Sequence, residues 1–271
     1  MERRQTGRRP AFQLPGTADS IVRGTRLNAW KFDQLDLALS PFASHSREVE
    51  GAAYLDLSEG YESYRRSRRA AGSMRIPKVE SLYRKLKREA AEVHFEYHSP
   101  RPELVSTLVS WKSAQFRETG LTDVLASPWT VKLLDRLLVH SADSFSVVVS
   151  ALYAGSRPIA ISYALATKDM LHGMFIGYDR EFSRYSPGSI LLLEIARGAA
   201  ERGIRSFQLG SGGDHYKRSL ASGQTPVGIG SVEVRPLARL VRRWPDRAPR
   251  RAGRSTQRRR PGAAHDQPRR P

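Results

Sequence analysis

Three closely spaced segments between residues 145 and 178 alternate hydrophobic and polar side chains, and a period of two predicts β-strands. The predicted strands cover residues 145–153, 158–166 and 170–178. The two short connections between them are typical of antiparallel hairpins. Weaker alternation predicts shorter strands elsewhere, at residues 28–35, 53–57, 93–97, 206–209 and 227–234.

Apolar residues at helical spacing predict the intervening elements. The longer predicted helices cover residues 102–117, 128–140 and 187–203, and shorter ones lie near residues 58–64, 79–91 and 214–220. Ser127 and Ser186 each precede a proline, an arrangement typical of a helix N-cap followed by its first turn. Adjacent strands with one crossover helix predict an α/β (α+β) fold, a mixed central sheet with helices on both faces.

The net charge of +18 comes mainly from the two ends of the chain. Residues 235–271 contribute +11 and residues 1–26 contribute +4, which leaves +3 for the middle. Both ends are rich in Arg and Pro and show no periodicity, so we expect disordered segments there. The high charge is therefore weak support for a nucleic-acid-binding fold.

Composition narrows the function classes further. The chain has no cysteine, which excludes disulfides, a thiolate nucleophile and cysteine metal ligands. No stretch approaches the roughly 20 apolar residues of a membrane span, and the first residues do not resemble a secretory signal. We expect a cytoplasmic protein that uses no metal.

The loop Arg184-Tyr-Ser-Pro-Gly-Ser precedes the predicted helix at residues 187–203. Small residues at a helix start expose N–H groups beside the positive end of the helix dipole, an arrangement that suits a phosphate. An ordinary crossover helix between two strands gives the same pattern, so the loop alone does not decide between them.

A basic helix offers a second candidate surface. Arg84, Lys85, Lys87 and Arg88 follow the basic segment at residues 65–69. These side chains could meet a polyanion such as tRNA, a phosphorylated sugar or a membrane surface. A solvated helix face explains the same residues.

Three segments carry a resemblance to a known family. They are Tyr178-Asp-Arg-Glu-Phe-Ser-Arg-Tyr-Ser-Pro-Gly, Ala199-Ala-Glu-Arg-Gly-Ile and Gly210-Ser-Gly-Gly-Asp-His-Tyr-Lys. Together with the element order, they resemble the GNAT superfamily of acyl-CoA N-acyltransferases. The closest resemblance is to its CelD-like or BcsL-like subgroup, which is associated with cellulose and exopolysaccharide biosynthesis and related to the FemAB aminoacyltransferases.

The resemblance also implies a division of the chain. The GNAT-like domain covers residues 93–236, and residues 27–92 resemble the end of a preceding acyltransferase-like half together with the basic helix. Residues 1–26 and 237–271 are the expected disordered segments.

The resemblance further implies site residues. The donor pyrophosphate of acetyl-CoA or another acyl-CoA is expected at Ser186, Gly188 and Ser189, with Arg184 and Lys217 nearby. The strand at residues 170–178 is expected to hold the thioester and polarise its carbonyl through a backbone N–H. An amine acceptor then attacks directly. Three side chains are expected to transfer protons: Tyr216 as the acid and Asp214 or Glu181 as the base.

Alternatives stay open for these residues and for the donor. Tyr216 could be a core aromatic residue, Asp214 a helix cap and Lys217 a solvated side chain. The loop at residues 184–189 lacks the first glycine of the common GNAT pyrophosphate loop, so aminoacyl-tRNA is a second possible donor. Three functions follow: an acyl-CoA-dependent N-acyltransferase, a FemAB-type tRNA-dependent transferase, and a non-catalytic accessory protein of polysaccharide synthesis.

Overall fold

The computed structural model describes residues 16–37, 41–90, 92–140, 142, 144–211 and 215–234. Within these ranges the chain forms eight strands. Their bounds are β1 (Ala29–Asp36), β2 (Ser46–Asp56), β3 (Val93–Glu96), β4 (Ser146–Ala154), β5 (Arg157–Ala166), β6 (Met170–Tyr178), β7 (Ser206–Gly210) and β8 (Gly223–Glu233). The segment at residues 237–271, expected to be disordered, lies outside the described residues.

All eight strands join one sheet in the order β1-β8-β2-β7-β6-β5-β4-β3. The pairs are antiparallel except β6 with β7, which run parallel because the helix between them returns the chain to the same end of the sheet. The mixed sheet with helices on both faces is confirmed. The hairpin pairing predicted for residues 145–178 is also confirmed, since β4 pairs with β5 and β5 with β6.

Seven α-helices complete the described part of the chain. They are α1 (Ala18–Gly24), α2 (Tyr61–Ala70), α3 (Arg75–Glu89), α4 (Pro102–Thr119), α5 (Pro128–Val139), α6 (Pro187–Glu201) and α7 (His215–Leu220). Two short 3₁₀ segments lie at Ala43–His45 and Arg180–Tyr185. None of the described helices is long and apolar enough to cross a membrane.

The helices cover the two faces of the sheet and so create two hydrophobic cores. The core under α6 also contains residues of α2 and α3, and it includes Leu152, Leu171 and Phe207. The core under α4 and α5 includes Leu108 and Tyr163. Because both faces are covered, β4 is buried almost along its whole length, as expected of an internal strand.

The N-terminal region differs from the expected arrangement. Residues 18–24 were assigned to a disordered segment, but Thr17 caps α1 by accepting a hydrogen bond from the Ser20 N–H. Ala18 and Val22 on this helix are buried in a third cluster with Phe32 of β1. Strands β1 and β2 both pair with β8, so residues 29–56 share one sheet with the predicted domain at residues 93–236.

Candidate functional site

Strands β6 and β7 separate after three residue pairs. Met170 pairs with Ser206, Leu171 with Phe207 and His172 with Gln208. Beyond this point the end of β7 pairs with β2, while residues 173–178 of β6 stay paired only with β5 among the described strands. One edge of β6 is therefore open, and its backbone N–H and C=O groups face a gap in the sheet.

A β-bulge lies in β6 beside this gap. Ala164 pairs with Gly173 and Tyr163 pairs with Phe175, so Met174 has no partner on β5. The extra residue bends the strand and changes which face the following side chains occupy. Met174 is 43% exposed as a result. Bulges are frequent next to active sites because they redirect a backbone segment.

A cavity of about 450 Å³ occupies the gap. Residues from β6 and β7, the first turn of α6, and α3, α4 and α7 surround it. The lining consists of Arg75, Lys112, Gln115, Ser162, Gly173, Met174, Phe175, Ile176, Tyr178, Ser183, Ser186, Gly188, Ser189, Leu192, Phe207, Leu209 and Lys217. A volume in this range suits a small-molecule ligand.

The charges on the cavity wall have one sign. Arg75, Lys112 and Lys217 contribute three cations, and the described lining contains no Asp, Glu or His. A concave wall with charges of one sign concentrates the electrostatic potential inside it. The cavity therefore favours an anionic ligand.

The N-terminus of α6 forms one end of the cavity. Its N-cap, Ser186, has φ 54° and ψ 52°, a left-handed conformation that is uncommon for a residue with a side chain. Pro187 has no N–H, and the N–H groups of Ser189 and Ile190 both donate to the Ser186 carbonyl, at 2.9 and 3.2 Å. The Gly188 N–H donates to no described residue and so remains available to a ligand.

Ser186, Gly188 and Ser189 all line the cavity, but their backbones are not equally available. The Ser186 N–H donates to the Ser183 carbonyl at 3.0 Å, and the Ser189 N–H is engaged as described above. Gly188 has room for a ligand beside it, because a Cβ added there would lie 3.4 Å from the nearest atom, Cδ1 of Tyr178. This helix start can offer one backbone N–H together with the serine hydroxyls.

Arg75, at the first position of α3, adds a charge to the same end. Its Nη2 donates to Oγ of Ser189 at 2.8 Å. Its Nε is buried and has no hydrogen-bond partner. An unpaired buried N–H of a guanidinium is costly, so an anion bound beside it would be stabilised. Sequence analysis missed Arg75, because 114 residues separate it from Ser189 and only the tertiary fold joins them.

Lys217 reaches the cavity from α7. Its Nζ donates to the Ser211 carbonyl at 3.2 Å. The Ser211 N–H in turn donates to Oε1 of Gln34 at 2.7 Å, so strand β1 supports this part of the wall. Oγ of Ser211 is buried without a hydrogen-bond partner. The predicted position of Lys217 near the donor site agrees with its place in the lining.

Two predicted residues lie away from the cavity lining. The side chain of Glu181 is 71% exposed, and its Oε2 lies 2.8 Å from Nη1 of Arg157. Arg184 is 68% exposed; its Nη2 donates to the Tyr185 hydroxyl at 2.5 Å. Tyr185 donates to Glu89 at 2.9 Å, so Arg184 belongs to a surface network with α3.

The predicted proton-transfer residues at the end of β7 are only partly described. Asp214 lies outside the described residues. The backbone of Tyr216 lies in α7, but its side chain is outside the described part of the structure. The described residues include no group of three or more His, Cys, Asp or Glu placed to hold a metal ion.

Comparisons with known proteins were made with the sequence and with the fold. The family model described as an acetyltransferase (GNAT) domain matches residues 73–218, which is more than half of the chain. This match includes the first turns of α3 and α6, the gap between β6 and β7, and Lys217. No curated protein matches the sequence.

Solved structures share the fold at low sequence identity. The structure titled FemX has a TM-score of 0.53 and 10% identity, and the match covers 83% of this chain and 77% of FemX. The C-terminal domain of a putative lysylphosphatidylglycerol synthetase from Agrobacterium fabrum has a TM-score of 0.50 and 14% identity, with coverages of 78% and 70%. These likenesses support the fold alone.

Proposed function

Because the chain belongs to the acetyltransferase (GNAT) domain family, we propose that it is an N-acyltransferase that transfers an acyl group, acetyl in the simplest case, from acyl-CoA to an amine. The observation that carries this proposal is the cationic cavity in the gap between β6 and β7, with the first turn of α6 at one end. The cavity offers separate places for a charged donor portion and for a reacting thioester.

The charged part of the donor fits the α6 end. The Gly188 N–H and the positive end of the helix dipole suit a phosphate oxygen. The hydroxyls of Ser186 and Ser189 can donate to further oxygens, and Arg75 and Lys217 supply full positive charges. The buried Nε of Arg75 would gain the partner it lacks. This arrangement uses the predicted residues Ser186, Gly188, Ser189 and Lys217 and adds Arg75.

The thioester fits beside the open edge of β6. Residues 173–178 have backbone groups on the side facing β7 that pair with no described strand. An N–H on this edge can donate to the thioester carbonyl oxygen and stabilise the negative charge that develops there during attack. The apolar side chains of Ile176, Phe207 and Leu209 exclude water from the same place.

The reaction requires one proton to leave the acceptor and one to reach the leaving group. The amine nitrogen attacks the carbonyl carbon, the carbon–sulfur bond breaks, and the thiolate leaves. Tyr216 is proposed to protonate the thiolate, and Asp214 to accept the amine proton. Glu181 is the less favoured base, because it is paired with Arg157 outside the cavity lining.

Ligand-induced stabilisation tests the donor site. A protein saturated with acetyl-CoA at about 100 times Kd gains roughly 2.7 kcal/mol of stability, which raises the melting temperature by several degrees. Gly188→Leu places a side chain between the α6 turn and Tyr178, and it should abolish this shift. Gly24→Leu is the matched control, because a Cβ there meets nothing within 4 Å. No shift for the wild type at millimolar acetyl-CoA contradicts the proposal.

A tRNA-dependent transferase is the second candidate, and the surface of α2 and α3 favours it. Residues 61–90 expose seven cations and two carboxylates, Glu62 and Glu89. Such a surface can bind a nucleic-acid backbone with a strong dependence on salt. Replacing Arg84 and Arg88 by Glu should weaken tRNA binding and reduce its salt slope by about two. The control is the same replacement of Lys132 and Arg136 on α5; equal effects would contradict the candidate.

The biological setting is proposed from the resemblance of residues 178–217 to the CelD-like or BcsL-like subgroup, which places the reaction in polysaccharide or cell-envelope biosynthesis. A non-catalytic accessory protein of the same system would bind the donor without turnover. Detection of an acylated amine with the wild-type protein, and its loss with Gly188→Leu, would separate an enzyme from an accessory protein.

A further inference from the structure

The cavity opens to both faces of the sheet. Ser189 and Leu192 of α6 meet it from the face that carries the first core, and Ile176 points to the same side. Lys112 and Gln115 of α4 meet it from the opposite face, where Phe175 packs with the second core. The open edge of β6 lies between these two groups, so the cavity has an α6 end and an α4 end.

The α4 end carries its own cation. Nζ of Lys112 donates to Oε1 of Gln115 at 2.8 Å and lies 4.8 Å from the centroid of the Phe116 ring. These contacts hold the ammonium one turn beyond Trp111, where α4 packs closely on Gly177 of β6. An ammonium has three N–H donors, so the bond to Gln115 engages one of them. Gln115 thus positions Lys112 at the cavity wall.

We propose that the α4 end is the acceptor site, and that Lys112 binds an anionic group, a carboxylate or a phosphate, on the amine acceptor. The proposal rests on the proposed function, in which the donor phosphates occupy the α6 end with Arg75, Ser186 and Ser189. A second cation on the other face of the sheet then serves the second substrate. The acceptor class is an amine that also carries a negative charge.

The charge balance of the cavity supports this class of acceptor. The described lining contains three cations and no carboxylate, so a purely cationic diamine would be repelled. An amine with a carboxylate or phosphate brings the opposite charge to Lys112. Nearby cations also disfavour the ammonium form of the acceptor. The same cavity therefore promotes loss of the proton that would block nucleophilic attack.

Matched amines test the proposal on the full-length protein. The probes are β-alanine with its amide, and phosphoethanolamine with ethanolamine, each pair differing in the anionic group. With acetyl-CoA as donor, the charged member of at least one pair should have a kcat/KM at least tenfold above its neutral partner. The pair that shows this preference distinguishes a carboxylate from a phosphate.

Variants of Lys112 assign the preference to the proposed residue. Lys112→Met should lower kcat/KM for the charged amine by about tenfold to a hundredfold, the usual cost of one charged hydrogen bond, and leave the neutral partner unchanged. Lys112→Arg should retain most of the preference. Lys132→Met on the exposed face of α5 is the control and should change neither value.

Binding measurements separate the possible failures. An unchanged Kd for CoA in Lys112→Met is expected, and a raised Kd overturns the proposal because Lys112 then serves the donor. The proposal also fails if neither charged amine binds to or reacts with the CoA-saturated protein, or if Lys112→Met affects both members of a pair equally. In those cases the donor site still stands. A wild-type protein that binds no CoA contradicts both proposals.

Discussion

Arg75 donates from Nη2 to Oγ of Ser189 at 2.8 Å and so joins the first turn of α3 to the first turn of α6. Ser189 is buried, and the neighbouring Nε of Arg75 lacks a partner. The contact places a guanidinium beside a helix N-terminus, where both favour an anion. Residues near both ends of the matched family region thus meet at one cavity.

Arg75→Ala should weaken acetyl-CoA binding by about tenfold to a hundredfold, because a charged hydrogen bond to phosphate is lost. S-acetylpantetheine lacks the pyrophosphate, and its affinity should stay unchanged. Titration calorimetry with both ligands measures the difference. Arg66→Ala, an exposed arginine of α2, is the control. Equal losses for the two ligands would show that Arg75 acts on the fold of the site and does not contact phosphate.

Ser186→Gly tests the strained turn before α6. A left-handed residue with a Cβ costs about 1–2 kcal/mol, so the glycine variant should unfold at higher denaturant concentration. The same variant loses the hydroxyl at the phosphate end, and its affinity for acetyl-CoA should fall. Chemical denaturation and calorimetry check the two effects. Lower stability would mean that the hydroxyl supports the turn more than the strain opposes it.

Gly230→Ala tests whether the N-terminal strands belong to the cooperative unit. A Cβ at this position in β8 would lie 2.1 Å from the His45 carbonyl oxygen and 2.9 Å from Cα of Ser46, and a backbone cannot move away easily. The cost should be about 1–3 kcal/mol, with a single unfolding transition. Gly188→Ala, which meets only ordinary contacts, is the control. Two separate transitions would instead favour an independent unit before residue 93.

Acid should destabilise the protein through His172. Burial lowers the pKa of this imidazole below its usual value of 6.5, so the unfolded chain binds a proton that the folded chain does not. Stability from the neutral buried form is present above pH 6.5 and decreases as the pH falls below it, by at most about 1.4 kcal/mol per pH unit for one group. His172→Asn should reduce this slope in denaturation measured from pH 7.5 to 5.5. An unchanged slope would assign the effect to other groups, including His98, whose pKa burial also lowers.

The sequence predicted the central elements well because their local signals agree. Strands β4 to β6 show clear alternation, and α4, α5 and α6 each begin with a proline after a suitable N-cap position. Gly203, expected to end α6, follows its last helical residue and has φ 80°. The parts that differ carry weak signals: β2 begins with the polar residues Ser46–Glu48, and β8 begins at Gly223. Tertiary pairing determines these segments.

The site was only partly predictable for a related reason. Ser186, Gly188, Ser189 and Lys217 come from a continuous region whose pattern is visible in the chain, and all four line the cavity. Arg75 lies before the predicted helix at residues 79–91, and Lys112 and Gln115 lie on an amphipathic helix where polar residues usually face solvent. Only the open edge of β6 and the packing of α4 on Gly177 bring these side chains to the cavity. No local pattern encodes that approach.

A crystal structure of the protein with acetyl-CoA is the most direct test of the proposed donor site. The account predicts that the pyrophosphate lies within hydrogen-bonding distance of the Gly188 N–H and the Arg75 guanidinium. The thioester should lie along residues 173–178, in the gap between β6 and β7. A ligand bound elsewhere, with an empty gap and no contact to the first turn of α6, would contradict the account.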